Sequence, residues 1–358
     1  MSTSPVSAEA WQITKPGPIP DTLQLRSITL PKLKPSQVLV KVSHAALNPV
    51  DYKLAALLPS FIQKVPRTAA VDFSGTVVKL GSDSLSKKYE WLGEENVAVW
   101  GLIYNLPPTS ALGAMSTYTV AEVEDIHPLP TNTAAIEAGI TAESAAGLGI
   151  VSMTAYIQSQ YVEKGDRVFI NGGTTAVGLL AADLAIAKGA SLIVATASGS
   201  KADFIKKRGV NEVIDHRAGD PKQELVSRYS SAPFDVVLDC IGTPELHLAS
   251  PAYLKAGGKW VNIGASFIKP NSFIFSSEAL SFIRWNIRAK LPKFLGGHQR
   301  TLIIAGPSKN DLVEVNKHLA KGTIHPVVDR VFEWKDGVEA YKYLIEGRAL
   351  GKVVVAVP

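Results

Sequence analysis

The 358-residue chain has a single cysteine, Cys240, which excludes an internal disulfide and any metal centre that needs several thiolates. Its seven histidines, at positions 44, 127, 216, 247, 298, 318 and 325, include no pair at i, i+4 with a flanking acid, so no metal site is expected. No apolar run approaches the roughly 20 residues of a membrane-spanning helix. Met1 to Pro20 has no basic residue before Lys15 and no apolar core, so neither a secretory signal nor an Arg-rich transit peptide is read there, and the expectation is a cytoplasmic protein. Charge is modest: 37 Lys and Arg stand against 32 Asp and Glu, giving a net +5 and a pI near 9.0, with no polybasic tail. That excess suits a small anionic ligand and does not call for nucleic acid. What the chain does have is 46% hydrophobic residues, enough for a large core, and more length than one domain usually carries.

The densest information runs from Arg167 to Asp215. An apolar strand, Arg167-Val168-Phe169-Ile170, enters Asn171-Gly172-Gly173-Thr174-Thr175-Ala176-Val177-Gly178 and then a helix from Leu179 to Lys188 that stops at Gly189. Glycines let the backbone turn tightly and approach a pyrophosphate, while the free N–H groups and positive dipole end of the helix face its charge. Strands at 191–196 and 212–215 complete the βαβ pattern of a dinucleotide site. An Asp or Glu about 20 residues past such glycines would hold a ribose 2′-hydroxyl and repel a 2′-phosphate. Here that place is Thr196, followed by Ser198, Gly199, Ser200 and Lys201, with His216 and Arg217 closing the third strand. Two hydroxyls and an ammonium favour NADPH over NADH, the other reading being that Lys201 merely opens a solvated helix.

The first third reads as β-rich, with strands at 37–42, 75–80, 96–100 and 117–120, and 134–157 as helix-prone. From Arg167 the βα alternation continues through 234–239, 259–264 and 301–305, six strands in all and enough for a complete doubly wound sheet. The tail from Thr323 breaks the rhythm with β-like segments at 327–334 and 352–357 around a short helix at 337–346. The expected organisation is α/β. Residues 134–322 form a Rossmann domain with a six-stranded parallel sheet, and residues 1–133, completed by 323–358, form a β-rich catalytic domain.

Five landmarks carry a family resemblance: Val38-Leu39-Val40-Lys41-Val42 leading to Asn48-Pro49-Val50-Asp51-Tyr52-Lys53; Asp72-Phe73-Ser74-Gly75-Thr76-Val77 leading to Gly81; Thr154-Ala155-Tyr156; the glycine turn; and Gly351-Lys352-Val353-Val354-Val355. Over nearly its full length the chain resembles the medium-chain dehydrogenase/reductase superfamily, in its zinc-free quinone oxidoreductase branch (zeta-crystallin-like). It is close to chloroplast-envelope quinone oxidoreductase homologues and fungal enoyl reductases. The resemblance implies that the N-terminal third is GroES-like and that the active site lies in the cleft between domains. The zinc enzymes of the superfamily carry Cys where this chain has Asn48, and His-Glu where it has Val71-Asp72; their four-cysteine lobe for a structural zinc is absent. Without a Lewis acid, alcohol–ketone interconversion loses its main aid. Conjugate reduction of an enone, enal, enoyl group or quinone needs only hydride, donors for the developing enolate and a proton source.

By resemblance the loop at 48–53 borders the nicotinamide, so Tyr52, Asn48 and Lys53 are the catalytic candidates, with Pro49 and Asp51 beside the cofactor. The other reading has Asn48 and Asp51 capping the following helix and Tyr52 packing. Related reductases also use water as the acid. Thr154 resembles the residue near the nicotinamide, Lys352 one that reaches the cofactor region. Cys240, Ile241 and Gly242, and Ile263, Gly264 and Ala265, end two strands where the crevice of an open sheet lies. Thr175 stands where the family has glycine; its hydroxyl is expected to compensate by donating a hydrogen bond to phosphate.

The expected pocket walls, 54–65, 103–112 and 267–294, are apolar and suit a small hydrophobic or aromatic carbonyl or quinone substrate. In 277–300, Leu280, Ile283, Ile287 and Leu291 fall on one helical stripe with Arg284, Arg288 and Lys290 off it, a candidate cover for the cleft or for peripheral membrane contact. Two functions follow: a dimeric NADPH-dependent reductase joined near 301–305, or a nucleotide-binding protein that works by contact with RNA, membrane or a protein partner. Fold alone does not separate them.

Overall fold

The computed structural model of the chain describes residues 6–57, 61–94, 96–104, 111–264, 266, 277, 280, 283, 284, 287, 301–302 and 309–358. The strand Arg167–Asn171 is buried along Val168, Phe169, Ile170 and Asn171. A continuous run of this kind needs helices on both faces of its sheet. That is what forms: six parallel strands in the order Glu212–Asp215, Leu192–Ala197, Arg167–Asn171, Phe234–Asp239, Leu254–Asn262, Thr301–Leu302. In chain order this is 3-2-1-4-5-6, so a crevice opens beyond the strand ends where the order reverses, between Arg167–Asn171 and Phe234–Asp239. The helix Ala176–Ala187 is apolar almost all round and packs on that sheet through Leu179, Leu180, Ala181 and Leu184. Each buried Leu or Val there contributes about 1.5–3 kcal/mol over an exposed one.

The second sheet draws on both ends of the chain. Its order is Val328–Phe332, Lys352–Ala356, Gln37–Leu47, Asp72–Leu80, Ala98–Leu102, Ile126–Pro128, with Tyr118–Glu122 also pairing Gln37–Leu47. The tail strand Lys352–Ala356 lies antiparallel to Gln37–Leu47, Val353 opposite Leu47. This pairing carries Lys352 to Asn48. Strands Ser7–Ile13 and Leu23–Thr29 form an antiparallel pair that the alternation pattern did not announce. The stretch 134–157 is broken into Thr133–Glu137, Ala142–Ala146 and the longer Gly149–Ser159. Gly139, at φ 79°, ends the first, and a capping box between Thr141 and Ser144 opens the second.

Of the 277–300 stripe, Leu280, Ile283, Arg284 and Ile287 are helical and exposed; Leu291 and the other residues named for it lie outside the described residues. Most of the expected pocket walls lie outside them too. Among the described residues no helix is long and apolar enough to cross a membrane.

Candidate active site

The glycine turn is built for close approach. Gly172 sits at φ +91°, and a Cβ there would meet Ile241 Cγ1 at 2.7 Å; one on Gly173 would meet Ala195 Cβ at 2.6 Å, and one on Gly178 the Gly172 carbonyl oxygen at 2.1 Å. Thr175 is the helix N-cap. Its hydroxyl accepts from Gly178 N at 3.0 Å and donates to Gly172 O at 2.8 Å. The hydroxyl expected to donate to phosphate thus braces the turn here. Thr196 is a brace as well, accepting from Gly172 N at 2.7 Å and donating to Asn171 Oδ1 at 3.0 Å.

Beside this turn lies a cleft of about 450 Å³ bordered by Gly172, Thr174, Thr175, Thr196, Ser198, Lys201 and Ile241. Cations crowd its rim: Lys201, Arg217, Lys222 and Arg348, with the His216 imidazole beside them, face two acids among the described lining residues, Asp220 and Glu245. Lys222 and Arg348 were not legible as site residues; Arg348 comes from the tail, 147 positions beyond Lys201, whose Nζ donates to its carbonyl at 2.6 Å. Burial pushes the Lys201 ammonium below its ordinary pKa. Ser200 is not among the lining residues, and its hydroxyl stands 3.4 Å from that of Ser198. The tail is tied to the turn where Gly351 N donates to Thr174 O at 3.2 Å.

A second centre forms around Asn48. Its Nδ2 donates to Asp72 Oδ2 at 2.8 Å, and Lys352 Nζ donates to Asn48 Oδ1 at 2.7 Å and to Asp72 Oδ2 at 3.3 Å. Asp72 Oδ1 also accepts from Ile150 N at 3.0 Å, at the start of the helix that bears Thr154. One buried carboxylate thus ties strand Asp72–Leu80, the tail and the interdomain helix. The capping reading holds for Asp51, whose Oδ2 accepts from Asn48 N at 2.9 Å; the Asn48 side chain goes to Asp72 instead. Tyr52 is half-buried against the core of the first domain. Burial raises its phenol pKa, with Asp51 adding to the effect, and burial lowers that of Lys53.

The remaining candidates divide. Ile241 borders the cleft, and Gly264 lets two strand-end turns touch, since a Cβ on it would meet the Ile241 carbonyl carbon at 2.2 Å. Gly242 N donates to Asp239 Oδ1 at 2.8 Å and Ile263 N to Asp239 O at 3.0 Å, so both turns hang on Asp239. Cys240 turns to Gln158 Oε1, 3.6 Å away, and burial pushes its thiol up to about 12. Thr154 donates to Ile150 O at 2.7 Å within its helix, and Pro49 is exposed. Ala265 lies outside the described residues.

The comparisons agree with this architecture. Residues 34–131 match the alcohol dehydrogenase GroES-like domain and residues 208–355 the zinc-binding dehydrogenase family. The trans-enoyl reductase pgmF of Aspergillus terreus is 32% identical over 99% of this chain and 98% of its own. The chain belongs to the medium-chain dehydrogenase/reductase superfamily. It is an oxidoreductase of that superfamily, similar also to the 2-methylene-furan-3-one reductase of Solanum lycopersicum, 29% identical over 98% of this chain and 79% of that one. The quinone oxidoreductase structure from Coxiella burnetii has the same fold at a TM-score of 0.77, with 24% identity over 99% of this chain and all of that one. At the position that the family resemblance assigns to zinc, the side chains here do not fit it. Asn48 and Val71 replace ligands, and the Lys352 ammonium already pairs with Asp72. Among the described residues no three His, Cys, Asp or Glu are grouped to hold a metal ion.

Proposed function

We propose that this protein is an NADPH-dependent, zinc-independent reductase of an activated C=C bond in an enone, enal or enoyl group, or of a quinone. The observation that carries the cofactor is the cation-rimmed cleft beside the glycine turn. The turn Gly172–Gly178 would hold the pyrophosphate; its glycines are required by the packing of the turn itself, since a Cβ on Gly172, Gly173 or Gly178 would meet Ile241, Ala195 or the Gly172 carbonyl. Lys201, His216, Arg217 and Arg348 would hold the 2′-phosphate by charge-assisted hydrogen bonds. Bound NADPH supplies hydride to the electron-poor carbon of the substrate.

The chain's own residues would meet the electron density that builds on the substrate's carbonyl oxygen. Asn48 offers an amide N–H and Tyr52 a phenol that burial keeps protonated. Lys53, whose ammonium burial makes more acidic, is the candidate acid. The names of the trans-enoyl reductase and the 2-methylene-furan-3-one reductase support a C=C substrate. Dimerisation is part of the same reading: among the described residues Thr301–Leu302 ends the sheet order with one strand neighbour.

The test is NADPH oxidation, followed by loss of its absorbance, with crotonaldehyde, menadione and the N-acetylcysteamine thioester of crotonic acid. Turnover in metal-free buffer with chelator is the expected result. Tight NADPH binding without turnover on any of them overturns the reductase and favours a nucleotide-binding protein acting through a partner.

A further inference from the structure

Lys352 places an ammonium where cations are seldom found: 6% of the residue is exposed, at the head of a strand inside the seven-stranded sheet. An ammonium has three N–H donors and no acceptor. One meets Asn48 Oδ1 at 2.7 Å and one Asp72 Oδ2 at 3.3 Å, while Asn48 Nδ2 donates to the same Asp72 oxygen at 2.8 Å. Each bond of this ring fixes the next. A group with donors only must face the amide oxygen, and an acceptor must face the amide nitrogen. The Asn48 amide is therefore locked, and its second N–H makes no hydrogen bond among the described residues.

The space for the ring is specifically provided. A Cβ on Gly147 would meet Lys352 Cγ at 2.9 Å, and one on Gly149 would meet Asp72 Oδ1 at 2.3 Å. Stability alone is a poor reason for such a ring, because well-packed apolar side chains often replace a buried ion pair without loss.

We propose that Lys352 is a positioning residue acting through Asn48: by donating to Oδ1 it polarises the amide and strengthens the second N–H as a donor to the oxyanion developing on a substrate carbonyl. This rests on the reductase reading and names the carbonyl oxygen conjugated to the reducible bond as the group that Asn48 meets.

The test pairs Lys352→Met with Asp72→Asn, which keeps the net charge of the ring and leaves no orphaned carboxylate. The probe is para-nitrophenolate, an oxyanion followed by its visible absorption in protein loaded with oxidised cofactor. The paired variant should bind it about tenfold more weakly than wild type, and kcat for crotonaldehyde should fall by a similar factor while KM for NADPH changes less than about twofold. Lys352→Arg, which keeps a donor to Oδ1, should recover part of the loss. In an Asn48→Ala background the same pair should cost nothing more. Asn48→Ala alone leaves the Lys352–Asp72 pair in place and must lose the same phenolate affinity, a comparison that stands even if the paired variant fails to fold. Undiminished binding in either variant, or a full loss repeated in the Asn48→Ala background, overturns the proposal. Lys352-dependent phenolate binding without any reduction of crotonaldehyde would instead sink the reductase and leave the Asn48 arrangement standing.

Discussion

Tyr341 donates its hydroxyl to Asp51 Oδ2 at 3.2 Å, across 290 positions of chain. The bond joins the tail helix Gly337–Ile345 to the helix Pro49–Leu57, which carries Tyr52 and Lys53 directly after Asn48, where a loop was expected. Asp51 is 3% exposed, and its other oxygen, Oδ1, has no hydrogen-bond partner among the described residues. Burial outweighs the bonds from Asn48 and Tyr341 and pushes the carboxyl up to about 7, with Asp72 adding to the rise and Lys352 opposing it.

The first prediction concerns pH. A carboxyl raised from 3.8 to about 7 keeps in the folded state a proton that the unfolded chain releases. Stability therefore falls as pH climbs through that window and levels off above it, by an amount on the order of 4 kcal/mol from this group. Asp125, raised to about 6, acts in the same direction, and His127, lowered to about 4, in the opposite one. The difference between wild type and Asp51→Asn isolates Asp51. Urea midpoints should be similar near pH 4, and the variant should become the more stable protein by about pH 8. A difference that does not vary with pH would rule out an ionising Asp51.

Cofactor choice gives the second. Lys201→Ala should weaken NADPH about tenfold, close to 1.4 kcal/mol, and leave NADH nearly unchanged, since only the 2′-phosphate distinguishes them. Arg348 is exposed, so Arg348→Ala should cost less and lose its effect as salt is raised. Fluorescence titration with both cofactors at two ionic strengths checks each point; equal wild-type affinities for the two cofactors would refute the choice.

The third uses the turn itself. In Gly178→Ala the new methyl meets the Gly172 carbonyl, a backbone atom that cannot step aside. The Thr175 cap bond to Gly178 N sits at the same place. About 1–3 kcal/mol of stability and most NADPH affinity should be lost together. Calorimetry and titration on one preparation would show it, and unchanged binding would place the dinucleotide elsewhere.

The parallel sheet is legible in the sequence because its signals are local. Val168-Phe169-Ile170 and the glycines that follow declare strand, turn and helix within a dozen residues. Contacts that only tertiary pairing creates are not legible there. Arg348 reaches the cleft because the tail bridges to Thr175, and Lys352 finds Asn48 because Val353 pairs with Leu47. Neither proximity leaves a periodic trace. Thr196 and Thr175 were legible by position but not by role: a hydroxyl serves a ribose, a phosphate or a turn equally well, and here the turn has both.

The last prediction tests what holds the tail in place. Asp183, on the helix Ala176–Ala187 with its side chain 5% exposed, accepts Arg208 Nη2 on both oxygens at 3.0 and 2.8 Å and His325 N at 2.9 Å. Arg208 Nη2 also donates to His325 O at 2.8 Å. The start of the tail at His325 is thus pinned from two sides. Asp183→Ala strands the Arg208 charge and the His325 N–H. Breaking a buried pair costs about 3–5 kcal/mol, and because the Arg208 side chain is 18% exposed, about 2–3 kcal/mol is expected. Asp183 lies seven residues from the helix start, about 10 Å along the axis from the glycine turn. The folded variant should therefore bind NADPH within about twofold of wild type while its urea midpoint drops. If affinity falls as far as in Lys201→Ala, the tail rather than the turn sets the cleft, and Arg348 rather than Lys201 becomes the principal contact for the 2′-phosphate.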